Sequence, residues 1–353
     1  MRLGVRITNT AMPHAPSFDV CPPLSNRLVE LGYYLAESSV EADVLICINH
    51  DPIAYKTFCD VGGSPENAFL VRLEPMAVFP VQYKMEIEAL YAKVFTPGSL
   101  KQEGGNPLRW PYYYNQNPLK PEKHSPNLES LLIKASKTGT FEFNNWKHRP
   151  ITISLIASNK VSPISRNNYK IRRRLASCMS AETLQIYGNL WDSKLLPKLT
   201  HRASVTFSAL KSGIGLNILE IYGDLHKNFP GYLGQIIDKH EIIQKSKFSL
   251  VIENDDDYVS EKIIDALVGG SIPIYIGGDV KRIGIPPELI QSNLREKKEI
   301  LHFIETFTDE EAIQKLRANQ EWLLSKFFLN SWEGDKVFKE IADMVVKSLE
   351  VTQ

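Results

Sequence analysis

Cysteine is scarce in this chain, and an excess of charge of either sign is missing. Four cysteines in 353 residues (Cys21, Cys47, Cys59, Cys178) stand apart, with no Cys-x-x-Cys pair. That spacing argues against a zinc site and against a disulfide framework, and it favours a reducing compartment. Lys plus Arg and Asp plus Glu both total 41, so the formal net charge is zero. Such a balance argues against a dominant nucleic-acid footprint, and no nucleic-acid partner is expected. No run approaches the roughly 18 consecutive apolar residues of a membrane span. The N-terminal MRLGVRITNT reads as a strand, not as a basic segment followed by an apolar signal core. The expectation is a soluble cytoplasmic protein without a transmembrane segment, with peripheral association at an inner membrane face left open.

What is present is an ordinary globular composition, 43% hydrophobic and 23% charged, at a length that suits two domains. Strand-like and helix-like runs alternate. LGVRIT, DVLICIN, FLVRLE and KVFTPG read as strands; LSNRLVELGYYLA, DPIAYKTF with Asp51 as N-cap, and YKMEIEALYA read as helices. Residues 101–150 are rich in Pro, Asn and Lys, carry the aromatic cluster WPYYY (110–114), and read as a long connection with a domain boundary near 145. The rhythm then restarts with the strand ITISLIAS and the basic helix NNYKIRRRLASCM. LQIYG (184–188) and LEIYG (219–223) read as two strand-then-glycine units, and two amphipathic helices close the chain. This βαβ repetition predicts two doubly wound, Rossmann-like α/β domains with a cleft between them.

One stretch concentrates charge. IENDDDYVSEKIIDALVGGSIPIYIGG (252–278) packs Glu253, Asp255, Asp256, Asp257, Glu261 and Asp265 around Lys262, between two apolar runs. FSLVIEN is apolar enough to run through a sheet centre, which sets Glu253 and Asn254 at its carboxyl end, where open α/β sheets bind ligands. Asp257 or Ser260 is available to cap the next helix, with Glu261 and Lys262 in its first turn. Exposed N–H groups there favour an anion, and a lysine adds positive charge. The pattern suits a phosphate-bearing ligand, with a carboxylate placed for ribose or sugar hydroxyls. A solvated acidic loop is the plainer alternative.

The segment KFSLVIENDDDYVSEKIIDALVGGSIPIYIGG resembles the signature of the α1,3-fucosyltransferases, glycosyltransferase family 10. LIASNKVSPISRNNY is similar to that family's Ser-Asn loop followed by an arginine, and LEIYGDLHKNFPG to the segment before the signature. RLEPMAVFP and WPYYY match more loosely, so the resemblance spans residues 40–290. It implies a GT-B fold, with an acceptor-binding domain over 1–145 and a GDP-fucose-binding domain over 146–310. The closing helices over 311–353 are open to two placements, packing back on the N-terminal domain or docking on a membrane face. The implied activity is inverting transfer of L-fucose from GDP-fucose to a glycan hydroxyl, α1,3-type, in glycosylation of protein or lipopolysaccharide. A transferase using another nucleotide sugar and a non-catalytic nucleotide- or glycan-binding relative stay open.

By the same resemblance, Arg166 and Lys262 contact the diphosphate. Glu261 binds donor hydroxyls, and Asn254, Tyr258, Asn159, Tyr222 and Gly223 line the donor site. Glu74, at the end of FLVRLE, is the general base that takes the acceptor's proton. Glu66, Glu86 and Glu88 are its rivals. Tyr222 or Tyr187 is placed to stack on guanine, with core packing as the alternative. The loop from Asn254 to Tyr258 is shorter than the family's, and Asp255 replaces its usual Ser or Thr. The run Asp255-Asp256-Asp257 imitates an Asp-x-Asp metal motif. Because Arg166 and Lys262 already supply positive charge, no metal and no cofactor beyond the donor are expected.

Overall fold

The computed structural model describes residues 3–97 and 106–107 except 13, and residues 128–352 except 166, 193, 194, 216, 223, 224, 226 and 333. Contacts divide the chain into two compact units: Met1–Ser125 with Asn330–Gln353, and Pro126–Leu329.

The first unit is built on six parallel strands: β1 (Gly4–Asn9), β2 (Tyr34–Leu35), β3 (Val44–Ile48), β4 (Ala68–Val71), β5 (Lys93–Thr96) and β6 (Asn106–Pro107). Their order is β2-β1-β3-β4-β5-β6. Every residue of VLICI in β3 is buried, as expected of a parallel strand covered on both faces. Alternate residues feed two cores. Val44, Ile46, Phe69 and Val71 pack on one face, Leu45, Cys47, Ala68 and Leu70 on the other. The first of these cores is completed by the last helix, Gly334–Thr352, through Val337, Phe338, Ile341, Ala342, Val345 and Leu349. That spacing is one helical stripe, so the chain end is part of the first unit's interior. Asp51 caps the helix Pro52–Asp60 as expected, its Oδ1 accepting from the Ala54 N–H at 3.1 Å.

The second unit repeats the plan with β7 (Ile151–Ile156), β8 (Leu184–Tyr187), β9 (Tyr232–Gly234), β10 (Ser246–Ile252), β11 (Ile272–Ile276) and β12 (Gln291–Ser292). The order is β12-β11-β10-β7-β8-β9, all parallel. The apolar run FSLVI therefore lies in a central strand. From β7 the chain moves by the helix Tyr169–Cys178 to β8 on one side. From β10 it moves by the helix Glu261–Val268 to β11 on the other. Right-handed crossovers in opposite directions put those helices on opposite faces. Their first turns flank the point between β7 and β10 where the strand order reverses.

Several expectations change. LEIYG is not a strand: Ile218–Tyr222 is a short helix whose start is fixed by the Asn217 side chain accepting from the Glu220 N–H at 3.2 Å. The likeness of LQIYG and LEIYG is therefore one of sequence only, since a short apolar run fits either element. β4 stops at Val71, so Glu74 lies beyond the strand in a turn. YKMEIEALYA keeps only Met85–Glu88 as helix. The region expected to be a linker holds the helices Leu128–Lys137 and Phe143–Lys147, both in the second unit, so the units part at 125 rather than 145. WPYYY lies outside the described residues. The closing helices divide between the units: Asp309–Leu323 belongs to the second and Gly334–Thr352 to the first. Among the described residues, no helix is long and apolar enough to cross a membrane.

Phe338 is 1% exposed inside the first unit's core. Phe338→Ala is expected to lower unfolding stability by about 3–5 kcal/mol, read by urea denaturation. A loss below about 1 kcal/mol would mean that the C-terminal helix is not part of that core.

Candidate nucleotide-binding site

Two loops leave the sheet of the second unit at its switch point: one after Ile156 of β7, the other after Ile252 of β10. The second begins with Glu253, whose side chain is fully buried. A buried carboxylate is costly unless every lone pair is engaged. Here the Ser260 N–H donates to Oε1 at 2.8 Å, and Ser260 Oγ lies 2.9 and 2.8 Å from Oε1 and Oε2. Lys262 Nζ donates to Glu253 Oε2 and to Ser260 Oγ, both at 2.8 Å. Ser260 thus passes its own proton to the carboxylate while accepting from the ammonium. It is also the N-cap of Glu261–Val268, accepting from the Lys262 N–H. Of the two cap candidates in the sequence, the structure selects Ser260.

The arrangement fixes the charge of Lys262. Burial alone would lower its pKa; the carboxylates of Glu253 and Glu261 outweigh that, and the pKa is raised above 10.5. The side chain is 25% exposed, so a full positive charge is held at a helix N-terminus within reach of solvent. Space for Glu253 depends on Gly277 at the end of β11, where an added Cβ would stand 2.7 Å from Glu253 Cγ.

Arginines inside the helix Tyr169–Cys178 hold the two loops. Arg172 donates to the carbonyls of Ser158 (3.1 Å) and Ile252 (2.6 Å) and to Asn254 Oδ1 (3.1 Å). Arg173 donates to the Lys160 carbonyl at 2.9 Å. Both are buried, at 2% and 1% exposure, whereas their neighbour Arg174 is exposed and pairs with Glu296. Burial lowers the Arg172 pKa, partly opposed by Tyr169 and Glu253. A basic helix composition does not reveal this bracing role. The available signal was spacing: Tyr169, Arg172, Arg173 and Ala176 share one helical stripe.

The acidic run after Asn254 is braced as well. Asp255 Oδ1 accepts from the Asp257 N–H at 3.1 Å, Arg295 pairs with Asp256 at 2.7 Å, and Arg282 donates to the Asp257 carbonyl at 2.9 Å. Two of the three aspartates are thus tied to guanidinium groups, one through its carboxylate and one through its backbone.

The other predicted residues are distributed as follows. Asn254 gives its side-chain oxygen to Arg172, and its carbonyl accepts from the Asn168 N–H at 3.1 Å. Tyr258 is 3% exposed, and its carbonyl accepts from Tyr275 OH and the Gly278 N–H. Asn159 is buried, with Nδ2 donating to the Leu190 carbonyl at 3.0 Å. Its Oδ1 has no hydrogen-bond partner within the described protein. Tyr222 OH lies 3.2 Å from Thr206 Oγ1, and Tyr187 OH donates to Gln185 at 2.8 Å. Arg166 and Gly223 lie outside the described residues. Glu261, Lys262, Asn254 and Asn159 are therefore on or beside the two switch-point loops. Glu261 and Lys262 also line a cavity of about 220 Å³ along the sheet face.

Glu74 belongs to the first unit. Its N–H and that of Leu73 both donate to Asn49 Oδ1 at 3.0 Å. Its carbonyl accepts from Gln82 Nε2 at 2.9 Å and Tyr83 OH at 3.0 Å. Asn49 has φ of 56°, a left-handed conformation that asparagine tolerates better than most residues. Among the rivals, Glu88 is buried and paired to Arg72 at 2.5 Å, while Glu66 and Glu86 are exposed on short helical turns.

No family model matches the chain. A stretch of 110 residues is 36% identical to a fucosyltransferase-like protein of Arabidopsis thaliana, covering 30% of this chain and 19% of that protein. The match thus spans about a fifth of the relative's length. An α1,3-fucosyltransferase crystallised with GDP is similar over 99% of this chain and 90% of its own, with TM-score 0.53 and 14% identity. HepE of Anabaena, crystallised with UDP and glucose, is similar over 98% of this chain and all of its own, with TM-score 0.54 and 9% identity. The fold is thus of the GT-B type, two parallel-sheet α/β domains. The resemblance to the α1,3-fucosyltransferases read from the signature recurs in both the partial relative and the fold.

Removing the buried carboxylate tests the cluster. Glu253→Gln is expected to cost about 3–5 kcal/mol, because it strands an ammonium in a largely desolvated place. The folded pKa of Lys262 is raised, so the stabilisation is complete below its ordinary value of 10.5 and disappears only as pH climbs through the folded value. Urea melts of both proteins should differ by a constant amount from neutral pH up to about 10.5, and the difference should shrink as pH climbs from there through the folded value.

Proposed function

We propose that the chain is an inverting glycosyltransferase that moves L-fucose from GDP-fucose to a hydroxyl of a glycan, in α1,3-type linkage. The observation that carries this reading is the cluster of Glu253, Ser260 and Lys262, which holds a charged ammonium at a helix N-terminus on the sheet's switch point. Such a place suits a diphosphate. The fucosyltransferase-like signature and the partial relative favour fucose as the sugar.

On this reading the acceptor oxygen bonds to the anomeric carbon as the bond from that carbon to the β-phosphate oxygen breaks. GDP leaves with the bonding pair. The ammonium of Lys262 and the N–H groups of the first turn, joined by Arg166, stabilise the charge that gathers on the leaving diphosphate. Glu261 takes donor hydroxyls. Glu74 accepts the proton lost by the acceptor hydroxyl, and the backbone bonds from Asn49, Gln82 and Tyr83 keep its turn in place. The charge comes from side chains, so the reading requires no divalent metal.

A second reading, transfer of a different sugar from another nucleotide, draws on the equal likeness of the fold to a protein crystallised with UDP and glucose. A thermal-shift panel of GDP, UDP and CMP separates the two, because only the cognate nucleotide raises the melting temperature strongly. GDP is the expected winner, and Lys262→Ala should abolish its effect. Glu74→Gln should retain the GDP shift and lower transfer from GDP-fucose at least about 100-fold. Full transfer by Glu74→Gln would remove that residue from the mechanism; stabilisation by UDP alone would replace the donor.

A further inference from the structure

The cavity lined by Glu261 and Lys262 continues beyond them. It lies within the second unit, between one face of the sheet and the helices Lys239–Gln244 and Glu261–Val268. Strand alternation explains its lining. Ile153, Leu155, Phe248, Leu250 and Ile252 point into the main core, which leaves Ser154, Ile156, Ser249 and Val251 for the opposite face. Ile243 and Ala266 oppose them from the helices. The space is about 220 Å³ and has apolar walls on both broad sides.

Its polar groups are Ser154, Lys239, Ser249, Glu261, Lys262 and Asp265. Lys239 Nζ and Asp265 Oδ2 are 2.5 Å apart, with side-chain exposures of 31% and 5%. Ser154 is 2% exposed, and its Oγ has no hydrogen-bond partner within the described protein. A buried hydroxyl without a partner is rare and calls for a ligand or water. A carboxylate beside an ammonium presents an acceptor next to a donor, the complement of a nucleobase edge on which an N–H adjoins a carbonyl or ring nitrogen.

We propose that this cavity is the nucleobase subsite, with Lys239, Asp265 and Ser154 reading the edge of the base between the aliphatic walls of Ile156, Val251, Ile243 and Ala266. The inference rests on the nucleotide-sugar reading and deepens it. The reacting sugar must meet an acceptor, whereas this space lies between the sheet and two helices of one unit. The base takes no part in bond breaking and gains from burial. The cavity adjoins the first turn where the diphosphate is placed, so ribose reaches from one to the other past Glu261. This reading takes the base away from Tyr187 and Tyr222, whose hydroxyls bond to Gln185 and Thr206. Among the described residues, no aromatic side chain lines the cavity.

The test compares inorganic pyrophosphate, which fills only the diphosphate place, with GDP, UDP and ADP, using the full chain and titration calorimetry or thermal shift. In the wild type, one nucleotide should bind more tightly than pyrophosphate. Asp265→Asn should reduce that advantage at least about tenfold, the scale of a lost hydrogen bond to a charged group. Ser154→Leu, which places a side chain in existing empty space and leaves the ion pair intact, should do the same. In both variants pyrophosphate affinity should be unchanged. If either variant, folded by its ligand-free melting curve, keeps the full nucleoside advantage, the subsite assignment is wrong while the nucleotide reading stands. If the wild type binds neither pyrophosphate nor any nucleotide, both fall together.

Discussion

A fully buried carboxylate sets the terms for the second unit. Glu253 sits at the end of a central strand, where the sheet gives it neither water nor a backbone partner for its side chain. Left without partners it would disrupt the strand end. Ser260 and Lys262 engage both of its oxygens, and in doing so they fix the start of the next helix and the direction of the lysine. One interaction therefore serves three ends: it seals the strand terminus, caps the helix, and holds a positive charge at the helix N-terminus. The neighbouring glycine at 277 serves the same region, since an added Cβ there would crowd the Tyr275 hydroxyl and Glu253 Cγ.

Around that centre, charge is used for bracing more than for display. Arg172 and Arg173 are interior side chains whose guanidinium groups collect the carbonyls of Ser158, Lys160 and Ile252. Arg282 and Arg295 do similar work for the aspartate run. The first unit solves the same problem with neutral groups. Asn49 gathers two consecutive N–H groups, while Gln82 and Tyr83 cover the carbonyl of Glu74. Both units thus keep polar loops rigid at the carboxyl ends of parallel strands, where α/β proteins place their chemistry.

Legibility followed the range of the interaction. FSLVIEN and DVLICIN were readable as central strands because near-continuous apolar runs suit a sheet covered on both faces. The cap at Asp51 was readable, and that at Ser260 was one of two candidates, because a cap is a contact across two or three residues. LEIYG misled for a matching reason: five residues carry too little periodicity to separate strand from helix, and a side-chain bond from Asn217 decided it. The interior place of Arg172 and Arg173 was not legible, because composition says nothing of which side of a helix faces the sheet. The boundary near 145 failed because Pro and Asn marked the connection, while the helices at 128–147 were claimed by long-range packing.

By itself the sequence determined the alternation of strands and helices, the paired α/β plan, and the charged turn at 253–262 at the carboxyl end of a strand. These depend on neighbours along the chain or on burial averaged over a strand. Tertiary structure alone decided that Glu253, not only Glu261, is the partner of Lys262, that two arginines are interior, and that the final helix completes the first unit's core. It also decided that a cavity opens between β7, β10 and two helices. Each of those brings together residues far apart in the chain, and no local pattern records which distant side chain will arrive to share a buried charge or to leave a space unfilled.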